Sequence, residues 1–220
     1  MKSRITALLL MVVCLAGCLM GCVRTELDVS LSGDGTGILT TTAAITEEAY
    51  NTMKQTGADP FEGRETQRVV YDDVPYISCS ESTEKLPFEE LEAVLKDIRL
   101  DAADAESPPL FEDVSIDKNG GLFYHSFTFR AKTAAQNASE EQGSSDAYAL
   151  FIKVTMPGRI SQTKEGVTEG NTVTFEISDL SQSHEFAVFS DANSVGVIIG
   201  VIAVLAIVFA GVFFFTRKRG

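Results

Sequence analysis

Tryptophan is absent from this 220-residue chain, histidine occurs only as His125 and His184, and cysteine only as Cys14, Cys18, Cys22 and Cys79. Three of the four cysteines fall within the first 22 residues, which excludes both a disulfide framework and a structural zinc set. Neither histidine stands in a nucleophile or metal motif, and His125 sits in an aromatic strand pattern beside Phe123, Tyr124 and Phe127. The acidic pairs Asp72-Asp73 and Glu89-Glu90 are sequence neighbours whose side chains diverge in a strand or on a helix. The expectation is a protein that is not an enzyme, with no cofactor and no metal. Positive charge is also scarce where it would matter. Residues 23–193 carry all 31 acidic side chains against 13 basic ones, a net charge of −18. Such a field repels phosphate backbones, so no nucleic-acid partner is expected, and it disfavours generic adhesion to anionic head groups.

What is present begins with the two ends. Lys2 and Arg4 precede an apolar stretch from Ile5 to Gly17 that is too short to span a bilayer and reads as the core of a signal peptide. Two lipobox-like tetrapeptides follow, Leu15-Ala16-Gly17-Cys18 and Leu19-Met20-Gly21-Cys22. Residues 1–21 are expected to be a lipoprotein signal peptide, with Cys22 as the lipidated residue and Cys18 as the alternative. At the other end, Val195 to Phe215 is a run of 21 residues without a charge. It predicts a C-terminal transmembrane helix over 195–216, stopped by Arg217, Lys218 and Arg219 in a cytoplasmic tail of residues 217–220. Gly196 and Gly200 form a GxxxG face on which another transmembrane helix can pack.

Between these ends, residues 22–193 read as one extracytoplasmic domain. Val23, Thr25, Leu27, Val29 and Leu31 alternate with polar residues, the period of a half-buried strand. Ser32 to Gly37 then turns the chain into a second strand from Ile38 to Ile45. Thr46 predicts a helix cap, with Ile45 and Tyr50 as a hydrophobic staple, and Gly57 an end. Strands are expected at Gln67–Tyr71 and Tyr76–Ser80. Phe88, Leu91, Val94, Leu95 and Ile98 then recur at helical spacing after Pro87. Leu110–Asp117 and Leu122–Arg130 read as a hairpin around Asn119-Gly120. Residues 132–146 lack apolar periodicity and read as a flexible loop, and strands resume at Tyr148–Met156, Thr172–Ser178 and Glu185–Ser190. The expected fold class is α+β: one antiparallel sheet of about nine strands with two amphipathic helices on one face, plus the C-terminal transmembrane helix.

Gly21-Cys22-Val23-Arg24, the Asp34 to Gly37 turn, Met156-Pro157-Gly158-Arg159 and Gly170-Asn171-Thr172-Val173-Thr174-Phe175 together resemble the LppM-like family of bacterial envelope lipoproteins. Phe175 stands where that family usually carries Trp. The resemblance favours Cys22 over Cys18 and implies an α+β ectodomain that engages envelope lipids or glycolipids. The expected function is therefore a membrane-anchored lipoprotein whose domain binds a membrane lipid or glycolipid, in a pocket between the two helices and the sheet. The first strand starts beside Cys22 and only Asp191 to Ser194 separate the last strand from the apolar run, which places the domain close to the head groups. The alternative is a structural or assembly subunit of an envelope complex, joined through the acidic surface and the Gly196/Gly200 helix.

Overall fold

The computed structural model describes residues 23–99, 108–121, 124–135 and 148–193. Among them, in chain order, are β1 (Val23–Leu31), β2 (Thr36–Thr46), α1 (Glu47–Gln55), β3 (Gln67–Tyr71), β4 (Val74–Ser82), β5 (Leu86–Pro87) and α2 (Phe88–Lys96). There follow β6 (Phe111–Gly120), β7 (Tyr124–Thr133), β8 (Tyr148–Thr155), β9 (Arg159–Lys164), β10 (Val167–Glu169), β11 (Thr172–Ile177) and β12 (Glu185–Asn193).

The strands form two sheets. The larger runs β10-β11-β8-β1-β2-β4-β3, with β5 extending the edge of β2, and the smaller runs β6-β7-β12-β9. Every pairing among these strands is antiparallel except β1 with β8. The main core lies between the sheets: Leu27, Val29, Ile152 and Phe175 from the large sheet meet Val114, Phe129, Phe186 and Val188 from the small one. Phe175 stacks on Phe186 with ring centroids 4.7 Å apart, and Phe186 meets Phe111 edge-on at 6.5 Å. Helix α2 closes one side of this core with Phe88, Leu91 and Leu95. Glu92, on the same helix, accepts the backbone N–H of Ile116 at 2.6 Å, which occupies a donor on the free edge of β6.

This architecture corrects the expected fold class. The described residues are predominantly β, in two packed sheets of eight and four strands rather than one sheet of about nine, with two short helices among them. Period-two alternation shows that a strand buries one face, but not which sheet it buries that face against. β9 and β10 add strands where the apolar alternation is weak: they are held by pairing to β12 and β11, and Val167 is exposed. The transmembrane helix in that expectation is not supported, because no helix among the described residues is long and apolar enough to cross a membrane. Its span, 195–216, lies outside the described residues.

Local corrections are smaller. Thr46 precedes α1 but makes no side-chain cap bond, while Ile45 and Tyr50 do share one apolar cluster. Asn119 and Gly120 belong to β6, paired with Ser126 and His125, rather than to a turn, and Gly121 N–H donates to Tyr124 O at 2.9 Å. Of the expected loop 132–146, Lys132 and Thr133 complete β7 and residues 136–146 lie outside the described residues.

The start of β1 and the close of β12 lie at opposite ends of the domain. Val23 pairs with Ile45 and Tyr148 at one end of β1. At the other end Ser30 pairs with Thr155, after which Gly158 turns the chain into Arg159, the partner of Asp191 near the close of β12. Seven strand steps of about 3.3 Å separate the two levels by about 23 Å.

Candidate functional site

Odd-numbered residues of β1, β2 and β4 share the inner face of the large sheet, and register fixes their levels. Val23, Ile45 and Ile77 form the first level, Thr25, Ala43 and Cys79 the second, and Leu27, Thr41 and Glu81 the third. The apolar residues on this face divide into two groups. One is the main core. The other contains Val23, Ala43, Ile45 and Cys79, covered by Ala49 and Tyr50 of α1 and by Phe61, whose ring lies 5.9 Å from that of Tyr50.

A polar seam runs between the two groups. Thr25 and Thr41 are each 1 % exposed, and neither hydroxyl has a hydrogen-bond partner among the described residues. They are diagonal neighbours across β1 and β2, since Thr25 faces Ala43 and Thr41 faces Leu27. Arg64 reaches the same place from the loop after Phe61: its Nη1 lies 3.4 Å from Glu81 Oε1, and Glu81 is the β4 partner of Thr41. The pair is aligned for charge attraction but not for a hydrogen bond, so Nη1 is also buried without an acceptor among the described residues. Burial pushes the Cys79 thiol up, and the nearby Arg64 charge offsets only part of that. Buried polar groups normally find partners, so three unsatisfied groups around one spot mark this seam.

The outer face makes the contrast. Arg24 lies over the Phe151 ring at 3.6 Å and the Tyr71 ring at 4.1 Å, and its Nε donates to Glu26 Oε1 at 2.7 Å. Lys153 Nζ donates to Glu26 Oε2 at 2.8 Å. Burial raises the Glu26 carboxyl, but the bonds and charges of Lys153 and Arg24 outweigh it and hold it below the usual range. Burial also pushes up the Tyr71 hydroxyl. Both oxygens of Glu26 are engaged, so this cluster fastens the parallel β1 and β8 pair.

The residues singled out from sequence fall elsewhere. Cys18, Cys22, Gly196, Gly200, Arg217, Lys218 and Arg219 lie outside the described residues. His184 Nε2 is 2.8 Å from the Asp179 carbonyl, and the His125 ring lies 6.3 Å from that of Phe127. Asp72 and Asp73 form the β3 to β4 turn with positive φ, and no group of three metal-ligating side chains is found among the described residues. Thr25, Thr41, Arg64, Cys79 and Glu81 were not singled out from sequence. A signal existed for two of them: Thr25 interrupts the apolar row Val23, Leu27, Val29, Leu31, and Thr41 stands between Leu39 and Ala43 on the matching face of β2.

The fold is thus a two-sheet β domain with two short helices and a closed polar seam between apolar clusters. The LppM domain family model matches residues 24–190, and the chain belongs to that family. Among solved structures it is similar to the folded domain of Mycobacterium tuberculosis LppM, determined by NMR. That match has 11 % identity and a TM-score of 0.45, covering 80 % of this chain and 93 % of the other. None of the curated proteins matches this chain.

Proposed function

We propose that this protein is an envelope lipoprotein, acylated at Cys22, whose domain is a non-catalytic binding module for a membrane lipid or glycolipid. One observation carries the reading: the apolar cluster of Val23, Ala43, Ile45, Ala49, Tyr50, Phe61 and Cys79 begins at the residue that follows Cys22. An acyl anchor on Cys22 holds that end of the sheet against the bilayer, so a lipid reaches the cluster from the head-group region without crossing much water. Family membership supports the envelope setting. The test is mass spectrometry of the protein released gently from native membranes. A co-purifying lipid near one per protein supports the reading. Lipid-free protein in stoichiometric complex with another polypeptide overturns it in favour of an assembly subunit.

A further inference from the structure

We propose that the segment from Glu47 to Arg64 is a lid, and that the seam beneath it receives the ester carbonyls of an acylated lipid. This rests on the lipid-binding reading and names the chemical group recognised. The Thr25 and Thr41 hydroxyls are buried without hydrogen-bond partners among the described residues, which leaves their desolvation uncompensated while the seam is closed, and Arg64 Nη1, ion-paired with Glu81, likewise makes no hydrogen bond there. The two hydroxyls can donate or accept but Arg64 Nη1 can only donate, so a partner shared by all three supplies acceptors. Arg64 is already neutralised by Glu81 at 3.4 Å, so that partner is uncharged; a phosphate would stand unpaired beside the Glu81 carboxylate. Apolar side chains flank the seam on both sides, Ile45, Tyr50 and Phe61 on one and Leu27 and Leu39 on the other. The acyl ester of a membrane lipid is a neutral acceptor joined to hydrocarbon and fits this arrangement.

The hydroxyls are closed off from solvent, so occupancy requires movement of the covering segment, which Ala49, Tyr50 and Phe61 and the Arg64–Glu81 and Arg68–Glu47 ion pairs hold in place. Helix α1 has nine residues, buries only Ala49 and Tyr50, and starts without a side-chain cap. Gly57 and Gly63, both at positive φ, interrupt the chain between α1 and Arg64. Cys79, 2 % exposed, lies on the sheet under this segment and reports its opening.

The experiment follows Cys79 alkylation by N-ethylmaleimide in the full-length mature protein, read peptide by peptide in mass spectra. Two additives are compared, a diester phosphatidylcholine and the diether lipid with the same chains and head group. Alkylation faster than global unfolding, slowed about tenfold by the diester and unchanged by the diether, is the expected result. Equal protection by both lipids overturns ester recognition but leaves the lipid-binding reading standing. Protection by neither overturns the site, and co-purifying lipid would then have to be bound elsewhere. Alkylation only at the global unfolding rate overturns the lid. The Thr25→Val/Thr41→Val variant removes the unsatisfied hydroxyls and is expected to alkylate more slowly without lipid and to lose the diester effect. The lipid comparison itself uses the unmodified sequence, so its outcome does not depend on whether that variant folds.

Discussion

Lys153 Nζ lies 2.8 Å from Glu26 Oε2, reaching diagonally across the only parallel pair among the described strands, because Lys153 itself stands opposite Asp28. Parallel pairing gives slightly less per residue than antiparallel pairing, and here a largely buried carboxylate with two cationic partners reinforces it. Replacing Lys153 by Met leaves Glu26 with Arg24 alone, and about 2 kcal/mol of stability should be lost. Denaturant titration checks this: an unchanged midpoint would mean that Arg24 alone satisfies the carboxylate.

The same cluster sets a pH dependence of two signs. Burial raises the Asp28 carboxyl, beyond what Ser30 and Lys153 restore. Its ionised form therefore costs stability above the raised folded value, and that cost is relieved as pH falls toward the ordinary aspartate range. Glu26, held below its usual range, contributes stability above the ordinary glutamate value and loses it as pH falls through its lowered folded value. Melting temperature should rise on mild acidification and fall in stronger acid. The acidic surface as a whole adds to the rise, so Asp28→Asn isolates the local part. That variant should melt higher at neutral pH and show a shallower rise, and a lower melting point at neutral pH would contradict the assignment.

Two glycines at positive φ should differ sharply. At Gly158, φ +87°, a Cβ would lie 2.3 Å from the Asp191 carbonyl oxygen, where the chain passes from the large sheet to the small one. At Gly35, φ +93°, a Cβ would meet nothing within 4 Å. Gly35→Ala carries only the backbone strain, about 1 kcal/mol, whereas Gly158→Ala adds a backbone clash and should cost about 3 kcal/mol or more. Thermal melts of the two variants provide the comparison, and equal costs would show that the crossover can shift to make room.

The contrast between what could and could not be read in the chain follows the same physics. β1, β3 and both helices were legible because Val23 to Leu31 alternate cleanly and Phe88, Leu91 and Leu95 recur at helical spacing. β9 was not, since Arg159 to Lys164 contains a single apolar side chain, Ile160, and gains its place from pairing to β12. Nor was the division into two sheets, which depends on which buried faces meet: Phe175 and Phe186 carry no mark of facing each other. Of the candidate site, the sequence suggests a pocket between the two helices and the sheet, whereas the seam lies beneath α1 and the loop to Arg64, and α2 packs on the main core instead. The seam was not legible, because Thr25 and Thr41 look like ordinary strand threonines until both sheet register and missing partners are known.

Glu92 guards an edge. Its carboxylate accepts the Ile116 N–H at 2.6 Å, and β6 pairs only with β7 among the described strands. Open strand edges invite pairing with other chains. Glu92→Ala should cost about 1 to 2 kcal/mol and increase self-association, measured together by denaturant titration and light scattering. Loss of stability without association would mean that α2 still covers the edge.

The direction of β1 fixes how a domain tethered at Cys22 would stand on the membrane. Val23 follows Cys22 directly, and β1 carries the chain from there to the Ser32 to Gly37 turn, about 26 Å away at strand rise. Helix α1 begins at the Val23 end, because Thr46 immediately precedes it and Ile45 pairs with Val23. If acylated Cys22 tethers the protein, α1 lies near the bilayer and Gly33 far from it, beyond the depth of the head groups. The test labels Asn51→Cys or Gly33→Cys with a fluorophore in a Cys79→Ala background, and reconstitutes the acylated protein in vesicles containing head-group spin-labelled lipid. Strong quenching at residue 51 with little at residue 33 is expected. Equal quenching at both would lay the domain along the membrane, and quenching only at residue 33 would invert it, taking the cluster around Val23 and Phe61 away from the lipid it is proposed to meet.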